Sequence, residues 1–404
     1  MSAPAPRFLS AGFRFFFLAA ALFAIAAMAA WLGWLAVHAA GGAVAQTTFD
    51  AAPHLWHGHE MIFGYAVAVI AGFFMTAVPN WTGTREAGSC GVAIAAAVWL
   101  AGRIAVWFSA WVSPWLVAVA DLAFLPLLAS GIAINLLRRP KPQNVALLGL
   151  LVLLLAGNVM AHLEWVGLTG DTATAGLWLG VLAICALISV IGGRITPAFT
   201  RNALLRRGIE DGLPVMRAWA DLAGIVSAVA LGPLVAFGAP EWLTGGVALV
   251  AAVANAVRLQ GWRSFSTLGE PIVWALHLGF AMLVTGYAAL AASWLTGILH
   301  PVAAFHWLAI GTVGGMPLAM MTRAPLGHTG RPLVVGRAAV AAYLLMVVAT
   351  VIRVAGSQVF PADYYTVMFL AGGAWIAAFA CYLAGYWHVL TGPDAREASI
   401  RESA

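Results

Sequence analysis

The sequence predicts an all-α integral membrane protein, with about twelve transmembrane helices in one bundle, and three observations carry that prediction. Of its 404 residues, 63% are hydrophobic and only 9% charged. Soluble domains carry about 25% charged residues, so this chain cannot cover a water-facing surface. Apolar runs long enough to cross ~30 Å of hydrocarbon, which takes about 20 residues, recur along the whole length. Between them, the lysines and arginines fall almost entirely in alternate connections.

The runs lie at 15–37, 57–79, 91–110, 114–137, 145–166, 174–193, 215–237, 241–257, 272–294, 300–321, 336–354 and 364–389. The first follows Arg7 and Arg14 like a secretory leader. It is longer than the ~7–15-residue apolar core of such a leader, and no soluble domain comes after it, so it is read as the first span. No Pro/Ser-rich linker or shift in composition divides the chain. Residues 1–404 are therefore expected to form a single polytopic membrane domain.

A cytoplasmic N-terminus puts Arg85, Arg138, Arg139, Lys141, Arg201, Arg206, Arg207, Arg263, Arg323 and Arg331 in inner connections. The outer connections 38–56, 109–114 and 167–174 hold no Lys or Arg, so both termini are expected in the cytoplasm. Arg353 is the outer exception, and Arg103 lies inside the third span. Trp31, Trp56, Trp81, Trp111, Trp165, Trp242 and Trp294 lie near predicted span ends, as interfacial belts require. Topology thus accounts for the net charge of +5, and nucleic acid is not an expected partner. Cys90, Cys185 and Cys381 form no CxxC pair and are expected to be buried small residues. The pairs Gly192-Gly193, Gly314-Gly315 and Gly372-Gly373 are expected to mark close helix packing.

Ionisable groups at membrane depth are costly, so each is a functional candidate. His57 and His59 open the second span in Trp56-His57-Gly58-His59-Glu60-Met61. His162 lies in the outer half of the fifth, one turn after Asn158, and His306 in the outer half of the tenth. At ~1.5 Å per residue, His59, His162 and His306 sit about 8–14 Å from their midpoints on the same side. Imidazole is the commonest metal ligand and suits copper and iron alike. Met61, four residues after His57, would add the soft thioether that Cu(I) prefers. Taken singly, an intramembrane histidine is more often a packing residue and a methionine core filler. Jointly, His57, His59, His162, His306 and Met61 make a metal-ligand set, with Glu60 and Asn158 placed to orient imidazoles from behind.

His59 precedes Thr82-Gly83 by the same spacing as His306 precedes Thr329-Gly330. Two parallel helices with imidazoles at one level would clamp a haem, so His59 and His306 are the expected iron ligands. His277, in the inner half of the ninth span, is open to three readings: a second metal, a haem propionate, or packing. The chain has no GxxxxGK[ST], GxSxG or HExxH motif and no Rossmann unit. Nucleotide hydrolysis, serine hydrolysis and zinc proteolysis are thereby set aside.

Longer motifs carry a resemblance. They are Phe13-Arg14-Phe15-Phe16-Phe17-Leu18, Trp56 to Tyr65, Thr76-Ala77-Val78-Pro79-Asn80-Trp81-Thr82-Gly83, Gly192-Gly193-Arg194-Ile195-Thr196-Pro197 with Thr200-Arg201-Asn202, and Met321 to Arg331. In these the chain resembles the NnrS family over nearly its whole length. The resemblance implies a multi-pass protein of the bacterial inner membrane that contains haem, expected to be b-type, and copper. It also implies a role in denitrification and in tolerance of nitric oxide and nitrosative stress, with nitric oxide and membrane lipid as partners. By position, the family's recurrent histidines fall on His57, His59, His162, His277, His306 and His328. On that footing His59 and His306 bind haem iron, His57, His162 and Met61 bind copper, and His277 is a further cofactor ligand. One rival is a nitric oxide-reducing enzyme similar to haem–copper oxidases. Those enzymes also carry histidines on the sixth and seventh helices, where this chain has none. The other rival is a carrier of copper, haem or a small anion, which would show midplane charges and broken helices. The electron donor has no signature in the sequence.

Overall fold

A computed structural model describes residues 6–138 and 142–395, so Arg139, Lys141 and the two extreme termini lie outside the described residues. Those residues form helices and connections, with no strand among them. Twelve helices are long and apolar enough to cross a membrane: Gly12–Ala39, Pro53–Thr82, Ser89–Trp107, Pro114–Arg138, Ala146–Trp165, Thr172–Arg206, Ala218–Ala236, Glu241–Gln260, Pro271–Thr296, Pro301–His328, Arg337–Val359 and Pro361–Thr391. They are called spans one to twelve. Each expected run has its helix. The sixth outruns its apolar run because helical bonding continues through Gly192-Gly193-Arg194, and Thr200 returns its hydroxyl to the Thr196 carbonyl. Large apolar side chains such as Ile94, Leu116, Val119, Leu222 and Leu344 face outward, as a hydrocarbon surround permits.

The helices group into two compact units that interleave along the sequence. One takes the chain up to Gly180, Met321–Leu333 and the chain from Phe379; the other takes Val181–Met320 and Val334–Ala378. In the first unit the Phe-Arg-Phe-Phe-Phe motif acts through Arg14, which is buried at the start of span one. Its guanidinium donates to the carbonyls of Val389, Leu390 and Gly392 and meets Asp394 at 2.5 Å. A cation thus satisfies the carbonyls that the end of span twelve leaves over. Spans five and six cross at Gly157 and Gly176, where an added Cβ would fall 2.6 Å and 2.3 Å from the other helix's carbonyl oxygen. Only small residues permit that approach.

In the second unit Arg258 is buried and bonds Asp221 (2.7 Å), Asn255 (2.7 Å) and the backbone and hydroxyl oxygens of Ser189 (3.0 Å each). Gly193 provides the space its guanidinium occupies, and Gly314 provides that for Met346 and Trp375. Gly373 faces open space and is not a packing point. Cys185 is buried as expected, but Cys90 is exposed at the first turn of span three, so burial does not hold for all three thiols.

The spacing shared by spans two and ten has a local structural counterpart. Each begins at a proline, carries its histidine at the end of a short α-helix, and then widens into a π-helix, Glu60–Ala66 in one and Trp307–Thr312 in the other. Each then runs as α-helix to a threonine that bonds its own preceding turn, followed by a left-handed glycine, Gly83 (φ 66°) and Gly330 (φ 69°). Such π segments recur at functional positions in helices.

Candidate metal centre

Glycines at its start pack the second span tightly. A Cβ on Gly58 would strike Leu177, one on Gly64 would strike Phe23, and one on Gly180 of span six would strike Ile62 and Phe63. The Trp99 indole donates to the Gly64 carbonyl at 3.1 Å and pins the π turn from span three. His59 and Glu60 therefore sit on backbone held from three sides.

Around them four buried side chains converge within the first unit. His59 is 0% exposed, Glu60 1%, His162 2% and Asp121 3%. His59 Nδ1 donates to Glu60 Oε1 at 2.9 Å. Asn158 Nδ2 donates to Asp121 Oδ2 at 2.9 Å, which turns its own Oδ1 to His59 Nε2 at 2.8 Å. His162 Nε2 donates to the same Asp121 oxygen at 2.8 Å, and that oxygen lies 3.3 Å from His59 Nε2. Arg103 pairs with both Glu60 and Asp121. Trp165 closes the group, its ring 4.8 Å from that of His59 and 5.0 Å from that of His162.

Two features of this arrangement call for a cation. Both nitrogens of His59 face oxygen acceptors, yet a neutral imidazole has one N–H. One contact then sets lone pair against lone pair unless the ring carries a second proton or a cation stands between. Two carboxylates against a single guanidinium also leave one negative charge over, in a region where unpaired charge is expensive. His59, Asp121 and His162 each offer a ligand atom, all within 4.8 Å of one another, so the group can hold a metal ion. Two imidazoles and a carboxylate leave further coordination positions open, as at reactive rather than purely structural sites.

The other expected site residues fall as follows. Glu60 and Asn158 lie against the two nitrogens of His59. His57 stacks on Trp31 with ring centroids 4.9 Å apart. Met61 packs against the apolar cluster of Ala27, Phe49 and Trp56, and the π winding that starts at Glu60 alters the regular four-residue register that related it to His57. In the second unit His306 Nδ1 donates to the Val302 carbonyl at 2.7 Å, which places its lone pair on Nε2, the usual state of a metal-binding imidazole. His277 bonds hydroxyls on both sides, Thr200 at 2.7 Å and Ser264 at 2.9 Å. His328 lies beside Phe13, 5.6 Å between rings.

Asp121 and Arg103 complete the group, and the histidine-led reading of the sequence did not select them. The signal was present: Asp121 is the one carboxylate in the run 114–137, and Arg103 breaks the run 91–110. A carboxylate and a guanidinium in neighbouring spans invite pairing.

A family model described as NnrS protein matches residues 7–394. No curated protein matches the chain.

Proposed function

Because the chain belongs to the NnrS family, we propose that it is a haem- and copper-binding protein of the bacterial inner membrane that acts in the response to nitric oxide. The convergence of His59, Asp121 and His162 is the observation that carries this reading. Since Glu60 holds Nδ1, His59 has one nitrogen to give and can serve one metal only. We assign it to copper with His162 and Asp121, while His306, in the tautomer that its bond to Val302 fixes, would hold haem iron. Bound copper and haem would supply one-electron chemistry and an open position for a small neutral diatomic. The protein's own part is to hold the imidazoles, balance the charge and exclude water. Nitric oxide partitions into lipid, so it needs no polar channel to arrive.

The same donors favour a second reading, since two histidines and a carboxylate also form a set suited to non-haem Fe(II). Metal analysis of purified protein separates the two. The assignment of ligands is tested by titrating reduced wild type, His162→Ala and His306→Ala with nitric oxide, following haem bands and metal content. His306→Ala is expected to lose haem and keep the metal. His162→Ala is expected to do the reverse and to lose the metal's response. A His59→Ala variant that loses haem while retaining metal would invert the assignment.

We also propose that both termini face the cytoplasm, on the distribution of Arg and Lys between connections. Reporters inserted at 207–208, in the expected inner stretch 203–208 and just past the end of span six, should read cytoplasmic; an outside signal there overturns the orientation.

A further inference from the structure

A cleft of about 340 Å³ opens in the first unit among spans two, three and four. Its walls are hydrocarbon, from Phe74, Val78, Ile94, Leu128 and Ile132. Its polar lining includes Arg85 and Asn135. Arg85 belongs to the short connection after span two, is exposed, and makes no hydrogen bond or ion pair among the described residues, its neighbour Glu86 included. Arg138 lies one turn beyond Asn135 on span four, at the same end.

We propose that this cleft binds one acyl chain of an anionic phospholipid, with the lipid phosphate on Arg85. Three physical points support it. Apolar walls at bilayer depth are best filled by hydrocarbon, since no water there would find polar partners. A guanidinium without a carboxylate partner among the described residues, at the end of an apolar slot, matches an amphiphile whose anion sits at the end of its tail. Basic pockets between transmembrane helices are a recognised way to hold anionic headgroups. The volume is near the lower end of the ~300–1,000 Å³ of small-molecule sites, which suits a chain segment and excludes a whole phospholipid. A zwitterionic headgroup would bring its own cation towards Arg85 and Arg138, so the site should discriminate by charge. The occupant would touch Phe74, on the same span that carries His59.

The cleft offers a clean test. A Cβ on Gly131, which lines it, would meet no atom within 4 Å, so Gly131→Leu fills the space without moving backbone. Detergent-purified, delipidated wild type, Arg85→Gln and Gly131→Leu are each offered phosphatidylglycerol or phosphatidylcholine, and bound lipid is counted by native mass spectrometry. Wild type should retain one phosphatidylglycerol with about tenfold preference, the factor that ~1.4 kcal/mol confers. Arg85→Gln, a change at an exposed side chain, should bind both lipids equally, and Gly131→Leu should bind neither while unfolding at the wild-type temperature. Equal retention of both lipids by wild type overturns the proposal. So does undiminished binding by Gly131→Leu, or protection from thermal unfolding by inorganic phosphate alone that matches the lipid's. Displacement of the lipid by a neutral isoprenoid quinone at equal concentration would also overturn it, because Arg85 would then contribute nothing.

Discussion

Asp121→Asn is expected to lose the metal while the helices remain inserted. Asp121 is the residue through which the group is joined, because one of its oxygens receives Asn158 and His162 and lies 3.3 Å from His59. The amide keeps the shape and a carbonyl acceptor for His162, so packing is preserved. It removes the charge that an incoming cation would neutralise. Loss of an outer partner typically weakens metal binding by about 10–100-fold, and loss of a charged ligand should exceed the upper end of that range. Equilibrium dialysis against a competing chelator measures it. An affinity within threefold of wild type would remove Asp121 from the ligand set.

Arg103→Gln is expected to give the largest loss of stability. Arg103 is buried against Glu60 and Asp121, and removing it leaves two carboxylates facing one another in a region with little water. Breaking a buried pair from one side costs roughly 3–5 kcal/mol. Thermal unfolding in detergent should show the drop, and Glu60→Gln added to it should recover part, because the two changes act within one network. The sign of the metal's effect is also fixed. Without Arg103 the group carries more negative charge, so added metal should raise the unfolding temperature of Arg103→Gln by more than it raises that of wild type. An equal rise in both would mean that the metal binds away from these carboxylates.

The fold was legible because it rests on quantities that a sequence states directly: run length and hydropathy. The twelve expected runs and the twelve helices coincide to within their ends. The ends differ where hydrogen bonding outlasts hydropathy, as in Thr172–Arg206, whose last turns are polar. The site was legible in part. His59 and His162 were visible as costly residues at one depth, and Glu60 and Asn158 as their neighbours on the same helices. Arg103 and Asp121 come from spans three and four, respectively, and only packing brings them to His59. Gly102 makes this close approach possible, for a Cβ there would lie 3.0 Å from the Asp121 backbone. The relation between His57 and Met61 was read on regular α-helical spacing, whereas the chain winds as a π-helix from Glu60. A one-residue change of winding re-aims every side chain beyond it, and nothing in the local composition announces it.

The central claim is that His59, Asp121 and His162 share one metal ion. X-ray absorption at the metal edge of purified protein addresses it most directly, on wild type, Asp121→Asn, His162→Ala and His306→Ala. Two imidazole nitrogens and a carboxylate oxygen should appear in wild type, be unchanged in His306→Ala, and be lost in the other two variants. A metal whose coordination is the same in wild type, Asp121→Asn and His162→Ala would contradict the account.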